Sequence, residues 1–158
     1  MKRIHIKEEY CMGCRLCEIH CIAAHGMYKN DLVRTFKRDK NRPSPRILIE
    51  QSGETCFALP CRQCREAHCI RACITGSMVR DLQSGLVQND PDRCVGCWTC
   101  IAACPYGAII REGGHIKVAA KCDLCGDNPQ CVRHCPNEAL VCEEREEGSG
   151  QDEVCDNR

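Results

Sequence analysis

The stretch that decides the fold is Cys94-Val95-Gly96-Cys97-Trp98-Thr99-Cys100-Ile101-Ala102-Ala103-Cys104-Pro105. Its four cysteines follow the spacing C-x2-C-x2-C-x3-C, and a proline comes directly after the last of them. Thiolate is a soft ligand, which selects zinc, copper(I) or iron–sulfur clusters over magnesium and calcium. Three thiols this close in sequence can reach three corners of a cubane, whereas they would crowd a single tetrahedral zinc ion. The stretch therefore indicates an iron–sulfur site.

The pattern recurs, because sixteen of the nineteen cysteines in the 158-residue chain fall into four groups of four. Numbered along the chain, the groups are Cys11, Cys14, Cys17 and Cys21; Cys61, Cys64, Cys69 and Cys73; Cys94, Cys97, Cys100 and Cys104; and Cys122, Cys125, Cys131 and Cys135. Four groups of four thiols match four [4Fe–4S] clusters. A zinc-binding structural module is the alternative from another class, and metal and sulfide analysis separates the two.

The fourth cysteine of each group determines how the groups combine. In the bacterial C-x2-C-x2-C-x3-C-P run it ligates the other cluster of a pair. Proline favours an extended conformation at the residue before it, so that cysteine points away from its own loop. Groups three and four have this proline, whereas groups one and two have Ile22 and Ile74 instead. Such ligand exchange would cross-link a chain that has only 4% aromatic residues with which to build a core.

Composition and motifs exclude several other classes of protein. The odd number of cysteines and the N-terminus without an apolar signal region argue against a secreted disulfide framework. No apolar run approaches the roughly 20 residues of a membrane span. We therefore expect a reduced, cytoplasmic protein, or one held at a membrane through a partner. The formal net charge of zero gives no sign of nucleic-acid binding. Because there is neither a G-x-G-x-x-G motif nor a P-loop, the active site is expected on a partner.

The remaining sequence predicts the organisation of the chain. We expect one four-cluster domain over residues 1–142, with an insertion over residues 22–60, and an acidic flexible tail over residues 143–158. The insertion is basic, with seven basic and two acidic residues between positions 29 and 46. Hairpins are predicted for residues 78–80 with 86–88 and for 109–110 with 115–118, residues 4–6 are expected to pair with 139–141, and residues 47–49 form a strand. Short helices are expected after the fourth cysteine of each group. Three cysteines have no predicted role: Cys56, Cys142 and Cys155.

The four-group pattern resembles the four-cluster iron–sulfur electron-transfer subunits of anaerobic oxidoreductases, such as the β-subunit of dimethyl sulfoxide reductase. The resemblance implies an α+β fold of two pseudo-symmetric, bacterial two-cluster ferredoxin-like lobes, with short β-hairpins and small helices around four clusters. One lobe combines groups one and four, and the other combines groups two and three. The implied ligand sets are Cys11, Cys14, Cys17 and Cys135 for cluster 1; Cys21, Cys122, Cys125 and Cys131 for cluster 2; Cys61, Cys64, Cys69 and Cys104 for cluster 3; and Cys73, Cys94, Cys97 and Cys100 for cluster 4.

The residues between the cysteines resemble a narrower family, the iron–sulfur subunit associated with carbon monoxide dehydrogenase (CooF type). The segments that carry this likeness are Glu9-Tyr10-Cys11-Met12-Gly13-Cys14-Arg15-Leu16-Cys17-Glu18, Pro43-Ser44-Pro45-Arg46-Ile47, Ala72-Cys73-Ile74-Thr75-Gly76, Cys94-Val95-Gly96-Cys97-Trp98 and Lys121-Cys122-Asp123-Leu124-Cys125. The likeness implies a non-catalytic subunit that accepts electrons from a nickel–iron carbon monoxide dehydrogenase. It would pass them to a hydrogenase or to a flavin-dependent NAD(P) oxidoreductase. The alternative is the β-subunit of a molybdenum or tungsten oxidoreductase, or a formate-hydrogenlyase component.

Overall fold

The computed structural model describes residues 2–112 and 119–144. Eight short strands and six helices alternate along these residues, together with one 3₁₀ turn over Glu8–Tyr10. The strands are β1 (Lys2–Ile6), β2 (Ile47–Ser52), β3 (Thr55–Pro60), β4 (Met78–Arg80), β5 (Val87–Asn89), β6 (Ile109–Arg111), β7 (Ala119–Lys121) and β8 (Leu140–Glu144). The helices are α1 (Leu16–His25), α2 (Leu32–Arg38), α3 (His68–Arg71), α4 (Thr99–Ala102), α5 (Leu124–Asp127) and α6 (Gln130–Arg133). All four residues of α5 have a positive φ, so this segment is a left-handed turn and not a regular right-handed helix.

The strands pair as four separate two-stranded antiparallel sheets within the described residues. β1 pairs with β8, with Ile6 opposite Leu140, so the predicted pairing of residues 4–6 with 139–141 is confirmed. The predicted hairpin of residues 78–80 is confirmed by the pairing of β4 with β5. The β1–β8 sheet brings the beginning of the chain beside the residues that follow group four.

The hairpin that follows group three extends further along the chain than the sequence indicates. β6 pairs with β7, with Ile109 opposite Lys121. The predicted second strand, residues 115–118, lies outside the described residues. Glu143 and Glu144, predicted as the start of the flexible tail over residues 143–158, instead pair with β1 as the end of β8, and the rest of that tail lies outside the described residues. β7 therefore leads directly into the first cysteine of group four.

The helices contradict one expectation. We predicted that short helices follow the fourth cysteine of each group, but α1, α3, α4 and α6 each begin one residue before the third cysteine. Helix α1 contains both the third and the fourth cysteine of group one and continues to His25, whereas α3, α4 and α6 end two residues before the fourth cysteine. In groups two to four the chain turns after the fourth cysteine, as in group three, where the Gly107 amide donates to the Cys104 carbonyl at 3.3 Å. Proline after that cysteine disfavours continuation of the helix.

The insertion of residues 22–60 is ordered against the rest of the protein. Its predicted strand at residues 47–49 is confirmed as the first half of β2, which pairs with β3. Helix α2 begins at a conventional cap, because the Asp31 side chain accepts a hydrogen bond from the Arg34 amide at 2.9 Å. The Glu18 carboxylate on α1 accepts the Ile49 amide at 2.7 Å, which attaches β2 to helix α1.

The core is built from cysteines and small aliphatic residues. One apolar cluster includes Cys17, Cys21, Cys61 and Cys122 with Ile4, Ile47, Leu124 and Leu140. A second includes Cys69 and Cys100 with Met78, Val87 and Ile109. In residues 2–112 and 119–144, no aromatic side chain belongs to the fully buried core. No described helix is long and apolar enough to cross a membrane.

Candidate metal centre

The four cysteine groups share one backbone feature. The residue before the second cysteine has a positive φ in every group: Gly13 (68°), Gln63 (48°), Gly96 (69°) and Leu124 (53°). Glycine adopts this conformation without strain, whereas Gln63 and Leu124 must be held in it by their surroundings. The four cysteine loops therefore share a left-handed residue directly before the second cysteine.

The first quartet lines a partly open cavity. Group one contributes three thiols and group four contributes its last, and the set is Cys11, Cys14, Cys17 and Cys135. Ile49 of β2, Ala58 of β3 and Leu140 of β8 complete the apolar wall. Burial raises the pKa of the Cys17 thiol to about 12.

A second partly open cavity has the same arrangement of cysteines. Group two contributes three thiols and group three contributes its last, and the set is Cys61, Cys64, Cys69 and Cys104. Val87, Ile109 and Lys121 form part of its wall. Burial raises the pKa of the Cys69 thiol, and the neighbouring Lys121 opposes that rise.

In the third quartet, which is the predicted ligand set of cluster 2, the other three thiols lie near Cys131. Burial raises the pKa of that thiol well above its usual range, and the thiols of Cys122, Cys21 and Cys125 add to the rise because they would be like charges nearby. Burial also raises the pKa of Cys122 to about 12. The Arg46 amide donates to the Cys21 sulfur at 3.2 Å.

The fourth quartet gathers around Cys100. Burial raises the pKa of this thiol to about 11, and Cys73 and Cys94 contribute as neighbouring thiols. Cys97 also lies close to Cys73. Its sulfur and the Thr99 hydroxyl share a hydrogen bond of 3.1 Å, in which either group can be the donor. Burial acts to raise the pKa of Cys73, but hydrogen bonds from Met78, Thr75 and Ser77 outweigh it and lower the pKa to about 7.

Neighbouring quartets approach each other in a continuous series. Cys17 of the first quartet is close enough to Cys131 to influence its ionisation, and Cys61 does the same to Cys122. Cys104 packs against both apolar clusters, and the second cluster contains Cys69 and Cys100. The quartets therefore follow one another in space. The order is the quartet from Cys11 to Cys135 (the Cys11–Cys135 quartet), then the Cys21–Cys131 quartet, the Cys61–Cys104 quartet and the Cys73–Cys100 quartet.

The donor chemistry fits [4Fe–4S] clusters. Each quartet offers four soft sulfur donors close together, and such thiols bind a metal as deprotonated thiolates. The four ligand sets implied by the sequence remain predictions, but every one of their sixteen cysteines lies next to other members of its own set.

One polar network beside the Cys21–Cys131 quartet was not predicted. One oxygen of the Asp123 carboxylate accepts a hydrogen bond from Arg46 Nη1 at 2.8 Å. The other oxygen lies 3.0 Å from His25 Nε2. Burial would raise the Asp123 pKa, but the His25 hydrogen bond and the Arg46 charge outweigh it and hold that pKa well below its usual range. Burial would lower the His25 pKa, yet the hydrogen bonds to Asp123 and Cys21 raise it to about 9. The three residues are far apart in sequence, so no spacing pattern could have revealed the network.

The unassigned cysteines lie outside the quartets. A Cβ atom added to Gly13 would come within 2.7 Å of the Cys56 sulfur, so Cys56 lies against the outside of the first loop. Cys142 is exposed on β8, opposite Ile4. Cys155 is outside the described residues.

Comparisons with known proteins agree with this chemistry. The electron transport protein HydN of Escherichia coli K12 is 36% identical over 89 residues, which are 56% of this chain and 47% of HydN. The thiosulfate reductase electron transfer subunit PhsB of Salmonella typhi is 31% identical over 98 residues, which are 57% of this chain and 45% of PhsB. The chain thus spans about half the length of the curated relatives it matches.

A solved structure and a domain family extend the comparison. A chain of the active-site complex BamBC of benzoyl coenzyme A reductase, as isolated, superposes with a TM-score of 0.50 at 26% identity, covering 96% of this chain and 82% of the other. Residues 54–145, which include groups two, three and four, match the family described as the 4Fe-4S dicluster domain. With its loops, cysteines and relatives in agreement, the chain belongs to the 4Fe-4S dicluster domain family.

Proposed function

We propose that the chain is a non-catalytic electron-transfer subunit that relays single electrons through four [4Fe–4S] clusters. The observation that carries the proposal is the composition of the two cavities, because each is lined by three cysteines of one group and the last cysteine of another. This is the exchange that paired bacterial clusters use. When bound, each cluster would supply a one-electron redox centre.

The chain's own residues would hold the clusters in two lobes within a domain over residues 1–142. One lobe uses the Cys11–Cys135 and Cys21–Cys131 quartets, and the other uses the Cys61–Cys104 and Cys73–Cys100 quartets. In each group the third cysteine would bind one cluster of a pair and the fourth cysteine would bind the other. The hydrogen bonds from the Arg46 amide to Cys21 and from the Ser77 amide to Cys73, both 3.2 Å, would stabilise negative charge on these sulfurs.

The ends of the series are the points where electrons would enter and leave. Among the sixteen group cysteines, only Cys14 and Cys97 are exposed, and they belong to the first and the last quartets. Exposed apolar side chains lie beside them, Met12 and Tyr10 near Cys14 and Val95 near Cys97. A partner that docks on either loop would come close to a terminal cluster.

The partner proposed from the sequence resemblance is a nickel–iron carbon monoxide dehydrogenase, with a hydrogenase or flavoprotein as the acceptor. The second candidate is the sequence-based alternative, the β-subunit of a molybdenum or tungsten oxidoreductase. The likeness to PhsB, whose name describes a thiosulfate reductase electron transfer subunit, supports an electron-transfer subunit of a reductase. The exposed basic residues of α2, Arg34, Lys37 and Arg38, would attract an acidic surface on either partner.

Metal analysis tests the central proposal. Anaerobically purified protein should contain about sixteen iron and sixteen sulfide ions per chain, four of each for every quartet. A few zinc ions without sulfide would overturn the proposal in favour of a structural zinc module. Anaerobic affinity purification with the loaded protein then distinguishes the partners, because the first candidate requires a nickel-containing enzyme and the second requires a molybdenum or tungsten enzyme.

A further inference from the structure

A buried lysine lies beside the second cavity. Lys121, the last residue of β7, is only 5% exposed. Its ammonium donates to the Val87 carbonyl at 2.7 Å and to Gln63 Oε1 at 3.2 Å, and both acceptors are neutral. No carboxylate of residues 2–112 or 119–144 forms an ion pair with it. A buried charge without an opposite charge is costly, so an anion is expected nearby.

The second cavity provides the place for that anion. Lys121 lines the cavity together with Cys61, Cys64, Cys69 and Cys104. A [4Fe–4S] cluster bound by four thiolates carries net negative charge, and it would supply the missing counter-charge. The ammonium already favours the ionised form of the Cys69 thiol.

Gln63 holds the ammonium in place. This residue has no solvent exposure, and its Nε2 donates to the Cys122 carbonyl at 2.9 Å. Its Oε1 accepts both the Val87 amide, at 2.8 Å, and the Lys121 ammonium. The position of the charge is therefore fixed by the loop of group two and by the first cysteine of group four.

The other titratable groups around the two cavities do not provide an equivalent charge. Arg62 and the half-buried His68 also line the second cavity, but Arg62 is exposed and lies over the Tyr106 ring at 4.5 Å. The cation that lines the first cavity is Arg15, which is exposed and pairs with Glu18 at 3.3 Å. Water screens exposed charges far more than buried ones, so Lys121 has the stronger effect.

We propose that Lys121 is a fixed positive charge that raises the reduction potential of the cluster held by Cys61, Cys64, Cys69 and Cys104. This inference rests on the proposed function. Reduction adds one negative charge to the cluster, and the nearby ammonium stabilises the reduced form. The cluster beside Lys121 is then easier to reduce than it would be without the charge. An electron in the series would therefore be found on this cluster more often.

The test is an anaerobic redox titration monitored by electron paramagnetic resonance, with iron and sulfide measured for each variant. In Lys121→Met and Lys121→Gln, one midpoint potential should fall by about 59 mV or more, which is a tenfold change in a one-electron equilibrium. The other midpoints should move much less. Lys121→Arg keeps the charge and should change the same equilibrium by less than about threefold. Arg15→Met, the matched control at the first cavity, should also have little effect.

The possible outcomes separate the inference from the proposed function. Unchanged midpoints in fully loaded neutral variants would overturn the inference, as would an equal fall in Lys121→Arg or Arg15→Met. Loss of one cluster from all three Lys121 variants would also overturn it, because packing rather than charge would then explain the burial. Loss from the two neutral variants alone would support a requirement for the charge. Wild-type protein without iron and sulfide would instead refute the proposed function.

Discussion

Replacement of Gly13 by alanine tests whether the first cysteine loop needs both its conformation and its close contact. Gly13 has a φ of +68°, and an added Cβ would meet the Cys56 sulfur at 2.7 Å and the Cys56 Cβ at 3.2 Å. Gly53 is the matched control, because it has a φ of +61° and its added Cβ would meet nothing within 4 Å. Both substitutions share the backbone strain, but only the first adds a steric clash.

The two costs can be separated. A non-glycine residue in the left-handed region costs about 1–2 kcal/mol, and this cost applies at both positions. Forcing an extra methyl group into a packed site costs a further 1–3 kcal/mol or so. We therefore expect Gly13→Ala to reduce the free energy of unfolding by about 1–3 kcal/mol more than Gly53→Ala does, because of the contact with Cys56.

The assay is anaerobic guanidinium denaturation of the loaded protein, followed by cluster absorbance and by released iron. The difference between the midpoints of two variants, multiplied by their common slope, gives the difference in their free energies of unfolding. Gly13→Ala should cost less in a Cys56→Ala background than in the wild type, because the colliding sulfur is gone. Equal costs at Gly13 and Gly53, or no recovery in the Cys56→Ala background, would refute the reasoning.

Three further outcomes are expected. Removal of iron by an anaerobic chelator should abolish the native circular dichroism signal, because the clusters replace an aromatic core; an apo-protein with native-like dichroism would contradict this. His25→Gln should reduce stability by about 1–2 kcal/mol, allowing for the partial exposure of Asp123. The His25 pKa is raised from 6.5 to about 9, so the difference in stability between wild type and variant should have its full size below pH 6.5 and disappear as the pH rises through about 9. Anaerobic denaturation at several pH values measures this difference, and a difference that persists above pH 9 or so would contradict the prediction. Cys122→Ser should lower the iron content, whereas the control Cys142→Ser should leave it unchanged; equal iron contents would argue against Cys122 as a ligand.

Local spacing predicted those features that depend on a few neighbouring residues. The β4–β5 hairpin and the strand at residues 47–49 follow from short alternating segments around turn residues, and both are present. In groups two to four the helix precedes the fourth cysteine instead of following it as predicted. The one-turn spacing between the third and fourth cysteines is the better signal, and it places the helix before the fourth cysteine.

The amino-acid sequence alone determined the chemistry of this protein, since sixteen grouped thiols select soft metals wherever the chain folds. The tertiary structure decided which charges surround those thiols. Arg46 reaches Asp123 from 77 positions away, and Lys121 reaches Gln63 across 58. Such contacts depend on how the insertion and the hairpins pack on the cysteine loops, and no local spacing encodes them. Burial has the same origin, because a lysine beside a cysteine is exposed or enclosed according to the strands that cover it.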